Sequence, residues 1–458
     1  MDLTKVIEHI FRRYLPSPFT IAVLLTALTL LLALIFTENT SDGNHFTALL
    51  SYWEAGIWNN GLLVFAYQMM LILVLGHVLV LSKPMERLIL KITGLVKNTS
   101  NAVILVVLPT LLVSFFNWGL GLIFGAILAR KVGEYAQNNN ISINYPLIGA
   151  CGYSGLMVWH GGISGSAPIK VAEAGHLKEL MGNYASGDVL AQLPDSISTA
   201  LTVFSYWNLT LFALVALSIT GLTYYLSKRT STTSTDLKGY QFKSMEKKHL
   251  QGAEKLEYSP WVSTLFGILI LLAFLIQYVP ALKTLNITPN MLNFFMLGLA
   301  IILHGSFKSF LMAVEEAIGD TAGILIQFPL YFGIMGIMSG SGMIQSISDF
   351  FVSISTTTTL PLFTFLSGGL VNVFVPSGGG QWAIQGPLVL QSALQLGVPL
   401  PKAIMALAYG DQVTNMLQPF WALPLLGITK LQAKEILPYT VLFMVVGSLI
   451  YMAGLLVF

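Results

Sequence analysis

A short polar stretch inside one long apolar segment contains the residue best suited to chemistry in this sequence. The segment 403–424 includes YGDQVTNMLQP, in which Asp411 is the only acidic residue well inside any apolar segment long enough to cross a bilayer. An ionisable group at that depth costs about 2.5–3.5 kcal/mol on insertion scales and is usually functional. Asp411 is therefore predicted to bind a cation or to take up a proton. The alternative is a structural aspartate that accepts hydrogen bonds from nearby backbone N–H groups.

A second polar segment, 145–167, contains a histidine among glycines and serines. The stretch 153–168 reads YSGLMVWHGGISGSAP, in which His160 follows Trp159 and precedes two glycines. This imidazole could titrate near neutral pH or hydrogen-bond a substrate carboxylate; a structural histidine with satisfied hydrogen bonds is the alternative. The density of small polar residues in both segments predicts helices that unwind at their centres. An unwound helix exposes N–H groups that suit a carboxylate and C=O groups that suit a cation.

Two glycine-containing turns offer further polar groups. They read NWGLG at 117–121 and PSGGG at 376–380. Asn117, Ser377 and Gln381 supply amide or hydroxyl groups there, and the glycines let backbone N–H groups approach a ligand closely. A tight turn without a ligand is the alternative for both. A phosphate-binding loop is not indicated, because the pattern GxxxxGK[ST] is absent from the sequence.

The composition indicates a membrane protein. The chain of 458 residues is 55% hydrophobic and only 10% charged, with a mean hydropathy of +0.73, whereas soluble domains carry about 25% charged residues. The net charge of +2 and the scattered basic residues do not indicate a nucleic-acid partner. The single cysteine, Cys151, excludes an intramolecular disulfide. The absence of HExxH and GxSxG motifs argues against an enzyme.

Nine apolar segments are predicted as membrane spans. They are 19–37, 60–82, 145–167, 200–227, 260–280, 290–306, 321–344, 403–424 and 436–458. Cytoplasmic loops are enriched in Lys and Arg, and a cytoplasmic N-terminus places 19 of the 23 Lys and Arg residues on that side. The first segment is predicted to be a retained span, because no convincing small-x-small cleavage site follows it. The amphipathic stretch 307–320 is predicted to lie on the inner surface.

Two further apolar regions, 102–130 and 360–396, do not fit a single crossing. Basic residues stand on both sides of the first, and its 29 residues are too few for two crossings. Each region is therefore predicted to be a re-entrant hairpin, the first with arms 102–116 and 122–130. Irregular backbone at such a depth is tolerated only where protein or water covers it.

The two halves of the chain resemble each other weakly. Tyr153 precedes Pro168 by 15 residues, and Tyr409 precedes Pro424 by the same 15. This spacing and the opposite entry of the two hairpins predict inverted repeats, a common plan of secondary transporters. The predicted fold is an all-α polytopic membrane protein of this inverted-repeat type, with about nine spanning helices and two re-entrant hairpins. The predicted parts are a first repeat, a cytoplasmic linker with one linking span, and a second repeat: 1–227, 228–280 and 281–458.

Three stretches of the sequence resemble the short-chain fatty acid transporter family of bacteria. They are WHGGISGSAP at 159–168, FVPSGGGQWAIQGP at 374–387 and AYGDQVTNMLQPFWALP at 408–424. The resemblance extends over essentially the whole chain. It implies uptake of short-chain monocarboxylates, such as butyrate or acetoacetate, across the inner membrane. It also implies the larger ion transporter superfamily, whose members are typically homodimers in which hairpin tips and broken helices enclose the substrate.

The predicted site combines the residues described above with those that the resemblance implies. Asp411 and Thr414 would hold the coupling cation, Na⁺ or H⁺, and no other metal or cofactor is expected. The substrate would contact a larger set of polar, glycine and tryptophan residues: Asn117, Trp118, Ser154, His160, Ser377, Gly378, Gly379, Gln381, Trp382 and Asn415. The tryptophans could pack against the alkyl chain, although core packing is the commoner role of tryptophan. Both hairpin tips lack the Ser-Asn-Thr triplet of the dicarboxylate branch, which leaves sodium coordination in that style open.

The predicted function is cation-coupled uptake of a small, singly charged organic acid, and the chain is not predicted to be an enzyme. No Lys or Arg lies in the middle of a predicted span, whereas a site for dicarboxylates or phosphate would often recruit one. The alternatives are a carrier of other organic anions from the same superfamily and an Na⁺/H⁺ exchanger. The expected location is the bacterial inner membrane, with the N-terminus in the cytoplasm.

Overall fold

The described part of the chain is helical. The structure is a computed structural model that describes residues 18–38, 44–182, 187–230, 237, 252–284, 286–374 and 378–458, and these residues form no β-strand. The α-helices, numbered in chain order, are α1 (Pro18–Phe36), α2 (His45–Ile57), α3 (Asn60–Val80), α4 (Lys83–Thr93), α5 (Thr99–Phe116), α6 (Trp118–Asn138), α7 (Tyr145–Tyr153), α8 (Ser166–Lys170), α9 (His176–Met181), α10 (Gly187–Gln192), α11 (Tyr206–Ser227), α12 (Glu254–Glu257), α13 (Pro260–Lys283), α14 (Pro289–His304), α15 (Phe307–Ala317), α16 (Ala322–Gly340), α17 (Met343–Ile354), α18 (Leu360–Phe374), α19 (Gly378–Leu396), α20 (Leu400–Thr414), α21 (Pro419–Thr429) and α22 (Ala433–Val457). Short 3₁₀ helices occupy Ser154–Met157, Ile318–Thr321 and Asn415–Leu417. The all-α prediction is confirmed.

Several helices have the length and the apolar character that a bilayer requires. Within the described residues, five are long and apolar enough to cross: α3, α5, α11, α13 and α22. Shorter apolar helices or parts of helices lie at Ala22–Phe36, Pro289–His304, Leu325–Gly340 and Leu360–Asn372. A helix coincides with each of the nine predicted spans, because a lipid-facing segment must satisfy its own backbone hydrogen bonds. The number of crossings stays a prediction.

Two of the predicted spans are interrupted helices. In the first, α7 begins at a cap in which the Asn144 side chain accepts a hydrogen bond from the Leu147 N–H at 3.0 Å. The helix ends in the 3₁₀ turn Ser154–Met157, and irregular backbone follows up to α8. In the second, the 3₁₀ turn Asn415–Leu417 separates α20 from α21, which begins at Pro419. Proline suits this position because the first turn of a helix has no acceptor for its N–H.

Two helical hairpins precede these interrupted helices. Helices α5 and α6 meet at Asn117, whose side chain caps α6 by accepting from the Leu120 N–H at 2.7 Å. Helices α18 and α19 flank residues 375–377. The first hairpin is longer than the predicted 102–130: its arms have 18 and 21 residues, about 27 and 32 Å of helix. Helix α5 is long and apolar enough to cross a bilayer, and the re-entrant depth of both hairpins stays a prediction.

The longer arm has a physical cause. Arg130 and Lys131 end the apolar run in the sequence, but both pair with Glu134 on the same helix, at 2.8 and 2.9 Å. These paired charges do not end α6, which continues to Asn138. Arg130 is buried with 4% exposure.

Some helices lie where the sequence analysis expected loops or a surface segment. Helix α2 occupies most of the predicted outer loop 38–59 and packs on α16 so closely that a Cβ on Gly336 would lie 2.2 Å from the Tyr52 carbonyl oxygen. The stretch 307–320 forms α15 and a 3₁₀ turn. Most of the predicted linker 228–259 lies outside the described residues, and the division into repeats stays a prediction.

The deepest part of the molecule is formed by the hairpin and interrupted helices. Helices α6, α7, α19 and α20 are buried along most of their length. By contrast, only 17% of the most apolar window of α13 is buried. The buried helices therefore position the candidate site, and the exposed apolar helices provide the surface that suits lipid.

Candidate functional site

A buried histidine–aspartate pair joins the two interrupted helices. His160 lies in the irregular segment between α7 and α8, Asp411 lies in the last turn of α20, and both are 0% exposed. Nδ1 of His160 contacts Oδ2 of Asp411, and Nε2 of His160 accepts a hydrogen bond from the Ala167 N–H at 3.1 Å. A nitrogen that accepts carries no proton, so the hydrogen-bond network assigns the proton of a neutral imidazole to Nδ1. His160 then donates this proton to the Asp411 carboxylate.

The hydrogen-bonding capacity of the Asp411 carboxylate is only partly used. Its Oδ1 atom is buried and has no hydrogen-bond partner among the described residues. A Cβ added to Gly378, the first residue of α19, would lie 2.9 Å from Asp411 Oδ2 and 2.8 Å from His160 Cε1. The N-terminal end of α19 therefore approaches the pair more closely than a side chain would permit. The partial positive charge of a helix N-terminus favours negative charge at this position.

A small cavity adjoins the pair. Its volume is about 20 Å³, on a measure by which one water molecule needs roughly 10–15 Å³. The lining is mostly aromatic and apolar, with two polar residues: Met69, Trp118, Leu156, Trp159, Ser166, Phe328, Gly378, Gly379, Asn415 and Trp421. None of the described residues that line the cavity is basic or acidic.

Three tryptophan rings and the imidazole form a continuous aromatic cluster along the cavity. The ring centroids of Trp118 and Trp159 are 5.7 Å apart, and those of Trp118 and Trp421 are 5.2 Å apart in an edge-to-face arrangement. Trp159 stacks on His160 at 4.5 Å. The cavity wall and the His160–Asp411 pair are therefore in direct contact.

The segment that carries His160 is held by groups from other helices. The N–H groups of His160 and Gly161 both donate to Oε1 of Gln412 at 3.0 Å. The Gly161 carbonyl accepts from Asn208 Nδ2 at 2.9 Å, and Asn208 Oδ1 accepts from the Tyr409 hydroxyl at 2.7 Å. These three backbone groups of the break are thus satisfied by α11 and α20.

At the second break, between α20 and α21, the neighbouring helices supply mainly hydrogen-bond donors. The Tyr153 hydroxyl lies 2.9 Å from the Asn415 carbonyl oxygen and 3.2 Å from that of Gln418. The side-chain nitrogen of Asn372 lies 2.7 Å from the Asp411 carbonyl oxygen. It also lies 2.9 Å from Thr414 Oγ1 and 3.1 Å from Asn415 Oδ1.

The structure brings together part of the predicted site. Trp118, Gly378, Gly379 and Asn415 line the cavity, and the pair of His160 and Asp411 adjoins it. Five predicted residues do not line the cavity and instead make hydrogen bonds within the protein: Asn117 to Leu120 N–H and Ile72 O, Ser154 to Cys151 O, Gln381 to Gly368 O and Gln385, Trp382 to His176, and Thr414 to Gly410 O and Asp411 O. Ser377 lies outside the described residues.

Trp382 has a defined partner outside the cavity. Its indole N–H donates to Nε2 of His176, on the short helix α9, at 3.0 Å. Burial, assisted by the charge of Lys170, lowers the pKa of His176 from 6.5 to about 3. His176 is therefore neutral at physiological pH, as an acceptor of the indole proton must be.

Lys170 belongs to a buried polar cluster that the sequence analysis missed. Lys170 lies outside the predicted spans, yet it is 5% exposed and pairs with Glu173. Gln68 accepts from Lys170 at 3.2 Å and donates to Glu173 at 3.0 Å. The sequence did not indicate this cluster, because a Lys-x-x-Glu spacing is too common to predict burial. The third member, Gln68, lies far from Lys170 in the sequence.

Six cavity residues were absent from the predicted site: Met69, Leu156, Trp159, Ser166, Phe328 and Trp421. Ser166 and Trp421 stand within the motifs and could have been included. Met69 and Phe328 lie in uniformly apolar helices, where neither residue type nor spacing distinguishes a cavity wall from a core position.

Comparison with known proteins identifies the family of this chain. The profile of the family described as "Short chain fatty acid transporter" matches residues 1–458. An Escherichia coli (strain K12) protein, provisionally named a short-chain fatty acid transporter, is 34% identical over 462 residues, covering 100% of this chain and 99% of the relative. A Haemophilus influenzae (strain ATCC 51907 / DSM 11121 / KW20 / Rd) protein with the same provisional name is 35% identical over 450 residues, covering 97% and 96%.

A solved structure shares the fold. The YdaH transporter of Alcanivorax borkumensis matches with a TM-score of 0.56 and 15% identity, covering 96% of this chain and 98% of that one. At this identity the match concerns the fold alone. Together with the apolar helices, the full-length family match shows a multi-pass membrane protein, and the chain belongs to the short-chain fatty acid transporter family.

Proposed function

We propose that this chain is a cation symporter that carries a short-chain monocarboxylate, such as butyrate or acetoacetate, across the bacterial inner membrane. Membership of the family supports the substrate class. The observation that carries the coupling is the buried carboxylate of Asp411, which has a neutral imidazole on one oxygen and no partner on the other. This carboxylate adjoins the cavity in which the substrate would bind.

The charges explain why a cation and an anion would bind together. An ionised Asp411 beside a neutral His160 leaves one negative charge in the interior. A substrate carboxylate in the adjoining cavity would add a second, and like charges repel strongly at low dielectric. A cation that binds with the anion cancels this addition, since the net charge of the site is then the same before and after loading. One cation per monocarboxylate is therefore expected.

A proton is the coupling ion that the immediate surroundings of Asp411 favour. Oδ2 accepts from His160, so Oδ1 is the oxygen at which a proton would bind. The neighbouring wall is aromatic and apolar. Among the described residues, no group of three or more His, Cys, Asp or Glu side chains could hold a metal ion.

Sodium is the second candidate because of the oxygen cluster around Asn372. Three oxygen atoms, from the Asp411 carbonyl, Thr414 and Asn415, lie within 3.1 Å of its side-chain nitrogen. An amide nitrogen carries only two hydrogens, so it cannot donate to all three oxygens at once. Sodium would be held here if the amide turned to present its oxygen.

The size of the cavity implies movement. A space for about one water cannot contain butyrate, so the tryptophan wall and the N-terminal end of α19 must separate for the substrate to enter. Such opening to one side at a time is the alternating access of secondary transporters. We further propose a homodimer, as the resemblance to the superfamily implies, and a cytoplasmic N-terminus, as the distribution of Lys and Arg in the sequence predicts.

The test is uptake by the purified protein in proteoliposomes. Labelled butyrate and acetoacetate are supplied under a pH gradient, acid outside, or under an inward sodium gradient, each alone. Accumulation driven by the pH gradient supports the proton, and accumulation driven only by sodium supports the Asn372 cluster. If neither acid moves, nor competes with counterflow of other organic anions, the proposed substrate is wrong.

Passive entry must be subtracted, because undissociated butyric acid crosses bilayers unaided. Protein-free liposomes measure this leak. Counterflow without any gradient measures carrier-mediated exchange independently of it. A sodium gradient that moves protons without any organic acid would favour the exchanger alternative.

A further inference from the structure

Two tryptophans that line the cavity have indole N–H groups without an acceptor among the described residues. Trp118 and Trp159 are 5% and 6% exposed, both line the cavity, and the Nε1 atom of each is buried without a hydrogen-bond partner among the described residues. A buried donor without a partner costs free energy and calls for an explanation. Trp382 shows the ordinary arrangement, in which His176 accepts the indole proton.

Both rings are held in place by their own local structure. The backbone N–H of Trp118 donates to Ser164 Oγ at 2.8 Å at the start of α6. The Trp159 ring stacks on His160 with an interplanar angle of 19°. The two ring centroids are 5.7 Å apart and their planes are inclined by 56°. Rigid donors placed before the ligand arrives lose little entropy when it binds.

The cavity needs neutral donors if it is to take an anion. The described residues of its lining include no lysine, arginine or histidine, so the charge of a carboxylate would be met by hydrogen bonds and by the N-terminal end of α19 at Gly378 and Gly379. Indole is a donor only, and a carboxylate accepts such bonds better than an amide or an alcohol does.

We propose that the indole N–H groups of Trp118 and Trp159 donate hydrogen bonds to the carboxylate of the substrate. This inference rests on the proposed function and adds a polar role to residues otherwise expected to contact the alkyl chain. Since the two donors are neutral, they suit one singly charged carboxylate. They select the acid over its amide and over dicarboxylates.

The experiment titrates ¹⁵N-indole-labelled protein in nanodiscs with butyrate and, separately, with butyramide. The chain contains eight tryptophans, and each indole signal is assigned by its loss in a Trp→Phe variant, or in a Trp→Tyr variant where the Phe variant does not fold. We expect butyrate to move the signals of Trp118 and Trp159 downfield and butyramide to move them much less. Trp53 is the matched control, since its N–H is also buried without a partner but does not line the cavity.

Calorimetry of the variants supplies the second measurement. Trp118→Phe and Trp159→Phe should each weaken butyrate binding about tenfold, the effect of about 1.4 kcal/mol, and Trp53→Phe should leave it unchanged. Wild-type affinity in both cavity variants, or unmoved signals at saturating butyrate, would overturn the inference while leaving the proposed transport standing. If wild-type protein neither binds butyrate nor counterflows it, both fail together.

Discussion

The two helix breaks at the centre of the molecule differ in length and in how their backbone is satisfied. The first runs through residues 154–165 and the second only through 415–418. In the first, the N–H groups of His160 and Gly161 need acceptors, and Gln412 of the second interrupted helix provides one. In the second, the exposed groups are carbonyl oxygens, and Tyr153 of the first provides the donor. Each interrupted helix therefore supplies hydrogen-bond partners to the break of the other. We expect the two to move together and to lose their structure together.

The two breaks are also chemically unequal. Asp411 lies two residues after Tyr409. The position two residues after Tyr153 is occupied by Gly155. A Cβ on Gly155 would lie 1.9 Å from Ser114 Oγ, so no acid could occupy that position. In the predicted inverted repeats, the His160–Asp411 pair is thus assembled from non-equivalent positions of the two halves.

Removing the acid from the second break should have the largest effect. We expect Asp411→Asn to abolish cation-driven accumulation, because Asn has no oxygen that takes up a proton. The variant should still insert and counterflow butyrate, measured in proteoliposomes. Asp195→Asn, at an exposed position, is the matched control. Full accumulation by Asp411→Asn would remove Asp411 from the coupling.

The next largest effect is expected at Gln412, whose side-chain oxygen is the acceptor for the first break. Gln412→Ala leaves two buried N–H groups unpaired, at about 1–3 kcal/mol each. A lower thermal unfolding temperature and impaired counterflow are expected together. Gln395→Ala, at an exposed position of α19, should behave as wild type. An unchanged melting curve for Gln412→Ala would show that the breaks do not depend on each other.

His160 tests the assigned tautomer. His160→Asn keeps a donor near Asp411 and should lose about tenfold in transport rate. His160→Ala removes a hydrogen bond to a charged group, worth about 1.5–3 kcal/mol, and should lose up to about a hundredfold. Equal rates for the two variants, measured by initial uptake at matched reconstitution, would mean that the Nδ1 proton does not matter.

The equivalent tyrosines should give the smallest effects. Tyr153→Phe removes the donor to the second break, and Tyr409→Phe removes the bond to Asn208, which holds Gly161 of the first. Each should lower the free energy of unfolding by about 1 kcal/mol, the worth of a neutral hydrogen bond, as read from detergent denaturation. A loss of stability in only one of the two variants would show that the two breaks do not stabilise each other.

Much of the helical framework could be predicted from the sequence. Apolar runs of bilayer length mark the nine segments, and the polar residues around His160 and Asp411 mark the breaks, since a helix in lipid rarely carries so many. The end of α6 was not predictable, because the charges of Arg130 and Glu134 are neutralised by pairing within the helix. The number of charged residues in a segment does not reveal which of them form ion pairs.

The site was predictable only where residue type carries the signal. Asp411 and His160 are unusual in an apolar segment, and both belong to the pair. Asn117 and Gln381 are equally polar, yet their amides cap a helix and bridge neighbouring groups. Which amide faces a cavity is decided by packing between distant helices. Met69 and Phe328 illustrate the same limit for apolar residues.

Infrared difference spectroscopy of Asp411 is the most direct test. Butyrate is added to reconstituted protein, without sodium, and the carbonyl stretch of a protonated carboxylic acid is followed with isotope exchange in D₂O. We expect a new band on binding that is absent from Asp411→Asn and from protein-free membranes containing butyrate. Saturable butyrate binding with no such band in the wild-type protein would contradict proton coupling at Asp411.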